Sequence, residues 1–399
     1  MELEETLFET AGEESADELK VDPNNIGQAV IWGTDWTTET INMQMVKGNI
    51  DLNPKFQRRD AWNNQEKSCL IESLMLGMPV PQIILAENKE RRNSYIVLDG
   101  KQRLLSIRRF YAEKNQDEKE ETFTPLKLSG LTILKNLNGK FKSNIENEYI
   151  TNLENQSIRT IIIKNWPSEA FLYAIFLRLN TGSKKLSPQE LRQALKPGEF
   201  LTFLDDKTAG SLIMHKMLGI KDADPRMRDI ELALRYYAFK YYIEDFDGNL
   251  KEFLDISCGY LNKRWTTDQS VFESDFVDLE DSIEFAYMLI GNNSPFSRYG
   301  KENSANRFNR SIYELFTYYF SSRILRDKIS QQKELFLSSF AELNDNPDFI
   351  SAVSDTTKSP IKVVTRFKLF AKLLARICKM EIKSLDLIQG KIKKVLVGE

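Results

Sequence analysis

Strand-forming patterns fall in only the first half of this 399-residue chain, and that confinement most limits its fold. Gln82-Ile83-Ile84-Leu85-Ala86, Tyr95-Ile96-Val97-Leu98 and Ser157-Ile158-Arg159-Thr160-Ile161-Ile162-Ile163 are short apolar runs rich in β-branched residues. They read as strands. Beyond about residue 200 such runs vanish, and apolar residues recur at helical spacing, at 226–245, 269–291, 305–321, 327–342 and 360–379; that is the signature of packed helices. The pattern predicts an α+β chain: a domain with a small mixed sheet over 30–200, an all-helical domain over 201–399, and an acidic, disordered tail over 1–29. At ~100–200 residues per domain, the length fits two.

The tail carries Glu2, Glu4, Glu5, Glu9, Glu13, Glu14, Asp17 and Glu18 with no Lys or Arg among them. It reads as a solvated segment, or as an acidic arm that mimics nucleic acid or covers a basic cleft. The net charge of −3 excludes a wholly basic nucleic-acid coat, so contact with DNA must come from a local patch. The basic run Lys362, Arg366, Lys368, Lys372, Arg376, Lys379, Lys383, Lys391, Lys393 and Lys394 is one candidate, with solvated helix faces as the plainer reading. Cys69, Cys258 and Cys378 lie far apart and suit a reducing, cytoplasmic setting rather than disulfides or a zinc ribbon. No apolar run reaches the ~18 residues of a membrane span, and no membrane partner is expected. The chain has one histidine, His215, within Leu212-Ile213-Met214-His215-Lys216-Met217-Leu218. A lone histidine on an apolar helix reads as a packed residue, and His-rich metal sites are excluded.

The stretch Asp99-Gly100-Lys101-Gln102-Arg103 joins the Tyr95–Leu98 strand to Leu104-Leu105-Ser106-Ile107-Arg108-Arg109-Phe110, which is apolar on one helical face. Gly100 permits positive φ at the corner. The helix that starts there exposes its first N–H groups and the positive end of its dipole. Cations are unfavourable in that position, so Lys101 and Arg103 call for a compensating anion, and helix N-termini bind phosphate. An ordinary tight turn with solvated charges is the alternative.

Other punctuation is local. Thr37 or Thr38 caps a short helix running to Lys47, and Asn63 or Asn64 caps one that Gly77 ends. Ser168 caps a helix over Glu169–Leu179, which breaks at Asn180-Thr181-Gly182. Ser187 caps the next, with Pro188 at its first position and Glu190 completing a capping box or holding a positioning hydrogen bond. Between Phe56 and Trp62, the adjacent Arg58 and Arg59 could clamp a phosphate or could be solvated.

Asn53-Pro54 with Phe56-Gln57-Arg58 and Trp62, then Leu70-Ile71-Glu72-Ser73 with Gly77, Pro79 and Pro81, then Leu98-Asp99-Gly100 with Gln102-Arg103-Leu104, resemble the N-terminal domain of GmrSD-type, type IV restriction proteins. Arg178-Leu179-Asn180-Thr181-Gly182 with Leu186-Ser187 and Glu190-Leu191-Arg192 resembles that family's second signature. The likeness covers about residues 35–200 and continues faintly into Arg226-Met227-Arg228-Asp229 and Arg235. It implies a fold like the ParB and sulfiredoxin nucleotide-binding domain, in which the turn Gly100 to Arg103 cradles a nucleotide phosphate. It also implies nucleoside triphosphate hydrolysis and sensing of phage DNA, as in some members. Lys101 stands where the family usually has Gln. Many members carry a C-terminal His-Asn-His nuclease domain, which needs more histidine than this chain has. DNA cutting is therefore expected of a separate effector protein.

A triphosphate needs concentrated positive charge and N–H donors, here Lys101, Arg103, Arg58 and the helix N-terminus at Gly100. The Mg²⁺ it brings prefers carboxylate and water, and Asp99 is the candidate ligand. Gln57 and Gln102 are expected to orient an attacking water, with Arg178 and Asn180 closing the pocket. Three functions follow: a nucleotide-binding, NTP-hydrolysing, DNA-sensing component of an anti-phage restriction system; a non-catalytic DNA-binding specificity subunit; or a metal-dependent nuclease built on the Asp99 corner.

Overall fold

The computed structural model describes residues 28–50, 52, 59–112, 123–179, 187–291, 294–297, 308–354 and 359–398. The acidic tail therefore lies outside the described residues, as do Gln57, Arg58 and Asn180. The chain forms two compact units. One comprises Leu19–Leu195 with Asp224–Met227, and the other includes Lys196–Ala223 and Arg228–Glu399.

The N-terminal unit is α+β. Its described elements are β1 (Val30–Thr37), α1 (Thr38–Val46), α2 (Asn64–Met75), β2 (Ile83–Glu87), β3 (Tyr95–Asp99), α3 (Lys101–Tyr111), α4 (Asn147–Asn155), β4 (Ser157–Lys164), α5 (Glu169–Leu179) and α6 (Pro188–Leu195). The strands form one mixed sheet in the order β1-β4-β2-β3. β1 runs antiparallel to β4, β4 parallel to β2, and β2 antiparallel to β3. Side chains alternate across the sheet. Leu85, Ile158 and Ile162 face a core with Ile71 and Leu74 of α2, Leu104 and Phe110 of α3 and Leu153 of α4. Ile84, Leu98 and Ile163 face the opposite way, onto Phe171 and Leu172 of α5 and Leu191 of α6. Burial on both faces is why β2 and the end of β4 read as unbroken apolar runs rather than alternation. β1 carried no such signal. It is an edge strand with Val30, Ile31 and Trp32 exposed, so little of it is driven by burial.

The helix starts sit where local chemistry puts them. Thr37 Oγ1 accepts from the Thr40 N–H (3.2 Å). Asn63 and Glu66 form a reciprocal box, with Asn63 Oδ1 accepting from Glu66 N (2.9 Å) and Glu66 Oε2 from Asn63 N (2.8 Å). Ser187 and Glu190 do the same at α6. Each motif satisfies donors that the first helical turn leaves over.

The helical unit contains α7 (Glu199–Gly210), α8 (Leu212–Leu218), α9 (Arg228–Tyr242), α10 (Leu250–Ile290), α11 (Arg310–Phe320), α12 (Arg323–Gln331), α13 (Lys333–Asn344), α14 (Pro347–Ser354) and α15 (Pro360–Cys378). α10 is one continuous helix of 41 residues. Of the frequent tyrosines, Tyr236, Tyr237, Tyr313 and Tyr319 are core residues, whereas Tyr241, Tyr242 and Tyr318 are half-buried. Tyr237 and Tyr313 are buried and donate to the carbonyls of Phe272 (2.5 Å) and Leu232 (3.0 Å). Phe316, Phe320, Phe336, Phe340 and Phe370 form a further cluster packed ring against ring. His215 is buried, with Nε2 3.1 Å from the Thr208 carbonyl.

This half is not the all-helical domain that the sequence pattern predicts. A two-stranded antiparallel hairpin, β5 (Ile382–Ile388) and β6 (Lys391–Val397), ends the described chain. Gln389 and Gly390 take φ of +51° and +76° between the strands. Two left-handed residues match the twist of a hairpin, and a polar-Gly pair between apolar runs is the signal for it. Lys383, Lys391, Lys393 and Lys394 thus lie on strands rather than on a helix face. Among the described residues, no helix is long and apolar enough to cross a membrane.

Candidate functional site

The corner after β3 is built around one left-handed residue. Gly100 has φ +99° and ψ 11° and is the N-cap of α3, with no side chain capping the helix. A Cβ at this position would lie 3.1 Å from Ile83 Cγ1 and 3.2 Å from Arg103 Nη2. The glycine therefore serves both the turn and the close approach of a guanidinium. Arg103 folds back across it, and Nη2 donates to Asp99 Oδ2 (2.7 Å) and to the Gln82 carbonyl (2.8 Å). Its Nε has no partner. The pair is shallow on one side: Asp99 is 41% exposed and Arg103 13%.

Lys101 is buried. Its ammonium lies 3.0 Å from Glu190 Oε1. Glu190 joins two functions that the sequence left as alternatives. Oε2 accepts from the Ser187 N–H (2.7 Å) in the capping box, while Oε1 meets Lys101. The two first-turn cations do find compensating anions, but these are the protein's own carboxylates. This differs from the expectation of cations standing open for phosphate. The physical reason is tertiary: α6 packs near β3 and carries Glu190 to a residue 89 positions earlier.

Gln102 was expected to orient water. In the orientation that satisfies both ends of its amide, it donates to Asp60 Oδ1 (2.6 Å) and accepts from the Ala61 N–H (3.2 Å). Asp60 is a hub that the sequence did not reveal. Its Oδ2 also meets Lys67 Nζ (2.8 Å) and Arg109 Nη1 (3.2 Å). Burial pushes the Lys67 ammonium below its usual pKa range, with the Asp60 carboxylate opposing that shift. Glu72 was missed as well. Its carboxylate accepts from the N–H groups of Ile133 (2.9 Å) and Leu134 (2.7 Å) and so holds the loop before α4. An ionisable residue between Ile71 and Leu74 on an apolar helix was the available sign.

Several expected positions need correction or lie beyond view. Arg59 is fully buried and donates to the Asp224 carbonyl (2.9 Å), so it is no surface phosphate clamp. Arg58, Gln57 and Asn180 lie outside the described residues, as does the side chain of Arg178. In the basic C-terminal run, Arg366 is buried against Glu314 (2.6 Å) and Lys368 pairs with Asp386 (3.0 Å), so the run is not one open surface.

The corner, its Glu190 partner and the Glu72 loop anchor all fall within one recognised domain. The family model of the GmrSD restriction endonuclease, N-terminal domain, matches residues 41–195. No curated protein and no solved structure matches the chain. Over residues 41–195, this chain is similar to the N-terminal domain of the GmrSD restriction endonuclease.

Proposed function

We propose that this restriction-system component binds a nucleoside triphosphate at the β3–α3 corner, and that nucleotide state governs its binding of DNA and of a separate effector protein. The observation that carries the reading is the uncapped N-terminus of α3 behind left-handed Gly100, with Arg103 held over it by a half-exposed carboxylate. The N-terminal end of the α3 dipole, which no side chain caps, favours an anion there. Asp99 can turn to water at low cost, because exposed ion pairs contribute only ~0–1 kcal/mol. A phosphate oxygen then takes its place against Arg103, as a charge-assisted acceptor.

Mg²⁺ fits this arrangement as an ion carried in with the phosphates. Among the described residues no group of three or more His, Cys, Asp or Glu could hold a metal. Asp99 would supply one carboxylate, and phosphate and water the rest. The ion would neutralise charge on the transferring phosphoryl group. Hydrolysis, in which water attacks the terminal phosphorus and the nucleoside diphosphate departs, requires a group to orient the water. Gln102 can serve only after leaving Asp60 and Ala61.

Titration calorimetry with ATP and GTP tests the reading. Saturable binding is expected, and Arg103→Ala should weaken it roughly 10- to 100-fold, the equivalent of the ~1.5–3 kcal/mol of a hydrogen bond to a charged group. Absence of binding at millimolar nucleotide overturns it. The second reading, a non-catalytic DNA-binding specificity subunit, draws on the fact that Lys101 and Arg103 already have carboxylate partners. It predicts DNA binding indifferent to nucleotide.

A further inference from the structure

Asp224–Met227 belong to the N-terminal unit, whereas Ala223 and Arg228 on either side belong to the helical unit. The segment is held from two directions. Buried Arg59 donates from Nη1 to the Asp224 carbonyl (2.9 Å). Ser187 Oγ donates to the Arg226 carbonyl (2.6 Å). Inside the segment, the Met227 N–H donates to the Asp224 carbonyl (3.0 Å) and the Arg226 N–H to Asp224 Oδ1 (3.3 Å). Asp224 is fully buried, and Met227 is buried at φ +56°, a left-handed conformation that side chains with a Cβ disfavour. A strained residue persists only where its surroundings determine it.

Ser187 is also the partner of Glu190. Its Oγ accepts from the Glu190 N–H (3.1 Å), and Glu190 Oε2 accepts from the Ser187 N–H (2.7 Å). Glu190 Oε1 in turn meets Lys101 at the first turn of α3 (3.0 Å). One carboxylate and one hydroxyl thus connect the Lys101 ammonium to the Arg226 backbone. The helix α9 begins at Arg228, with only Met227 between.

We propose that Asp224–Met227 is a tether that reports the charge state of the Lys101 corner to the start of α9, through Glu190 and Ser187. An anion that takes Lys101 from Glu190 loosens the α6 capping box and the Ser187 hydroxyl bond, and the constraint on Arg226 relaxes. The bistable element is the Lys101–Glu190 pair, made or broken. The coupling deepens the nucleotide reading by naming what an anion at that corner would control, yet it stands or falls without nucleotide.

Hydrogen–deuterium exchange on the full chain tests it, read at the α9 amides from Leu232 to Phe239, the first to donate within the helix. Lys101→Gln removes the charge that Glu190 pairs with, and exchange there should rise several-fold. Ser187→Ala should do the same, and Lys101→Gln should add nothing on top of it. Ser187→Thr, which keeps the hydroxyl, should restore the wild-type rate. Asp35→Asn, which breaks the exposed Asp35–Arg159 pair of the same unit, should leave α9 unchanged. A Lys101→Gln protein whose α6 amides respond while those of α9 do not overturns the tether. So does additivity with Ser187→Ala. Addition of ATP with Mg²⁺ to the wild type separates the two ideas. If ATP changes nothing while Lys101→Gln changes α9, the nucleotide reading fails and the tether holds. If ATP binds and both leave α9 unchanged, the tether alone fails.

Discussion

Two sets of arginine–carboxylate pairs, one in each unit, have the same chemistry and opposite circumstances. In the helical unit, Glu314 receives Arg235 (3.0 Å) and Arg366 (2.6 Å), and Glu231 also meets Arg235 (2.8 Å). α9, α11 and α15 supply these side chains, and all are buried. Burial pulls the Arg366 guanidinium below its ordinary pKa, and the Glu314 charge opposes that pull. At the β3–α3 corner, Arg103 meets Asp99 across four residues of a turn, with the carboxylate half in water. Ions enclosed on all sides cannot be separated without leaving a charge in a poor solvent. An ion pair open on one side exchanges partners with water or with an incoming anion at little cost. The difference teaches that the pair, as a chemical unit, says nothing about role. Its exposure does.

The largest effect expected is at the sealed cluster. Glu314→Ala should cost ~3–5 kcal/mol of stability, the usual price of stranding a buried charge. Thermal unfolding should show it as a drop of roughly 6–20 °C in Tm for a unit this size. A cost below about 1 kcal/mol would erase the contrast with the corner.

Gly100→Ala is intermediate. The new methyl demands left-handed backbone at φ +99° and meets Ile83 and Arg103. A loss of roughly 1–2 kcal/mol follows from the backbone alone, and urea unfolding measures it. Nucleotide affinity should fall in the same protein, because the guanidinium is pushed off the glycine. Unchanged affinity would detach Arg103 from the proposed site.

Asp99→Asn should give the smallest change in stability, within ~1 kcal/mol. Its signature is in binding. The carboxylate that competes with phosphate for Arg103 is gone, so Mg²⁺-free ATP should bind roughly two- to fivefold tighter, the binding equivalent of an exposed pair. The gain in affinity that Mg²⁺ supplies should vanish together with its ligand. Calorimetry with and without Mg²⁺ sharpens the comparison, since the two effects have opposite signs at one residue.

Much of the corner was legible in the chain order of its residues. Asp99-Gly100 between an apolar run and an amphipathic run permits a left-handed turn into a helix, and Gly100 takes that turn at the start of α3, although Gly100 and Lys101 are buried there rather than exposed. Thr37, Asn63 and Ser187 were legible as caps because a cap and its target lie three residues apart. The likeness to the GmrSD domain was legible for a related reason: it rests on short motifs such as Leu98-Asp99-Gly100. What was not legible is who neutralises whom. Lys101 and Glu190 lie 89 residues apart, Arg59 and the Asp224 carbonyl 165. No spacing rule reaches that far.

Sequence by itself thus determined the sheet-bearing first half, the helices of the second half though not its closing hairpin, the caps and the glycine corner, since each follows from the preferences of neighbouring residues. Only the tertiary structure decided that Lys101 of α3 is balanced by Glu190, that Arg59 and Arg366 are interior, and that the exposed strand β1 completes the sheet. Ion pairing and edge-strand pairing depend on which surfaces the packed core brings together, and burial fixes that collectively rather than residue by residue.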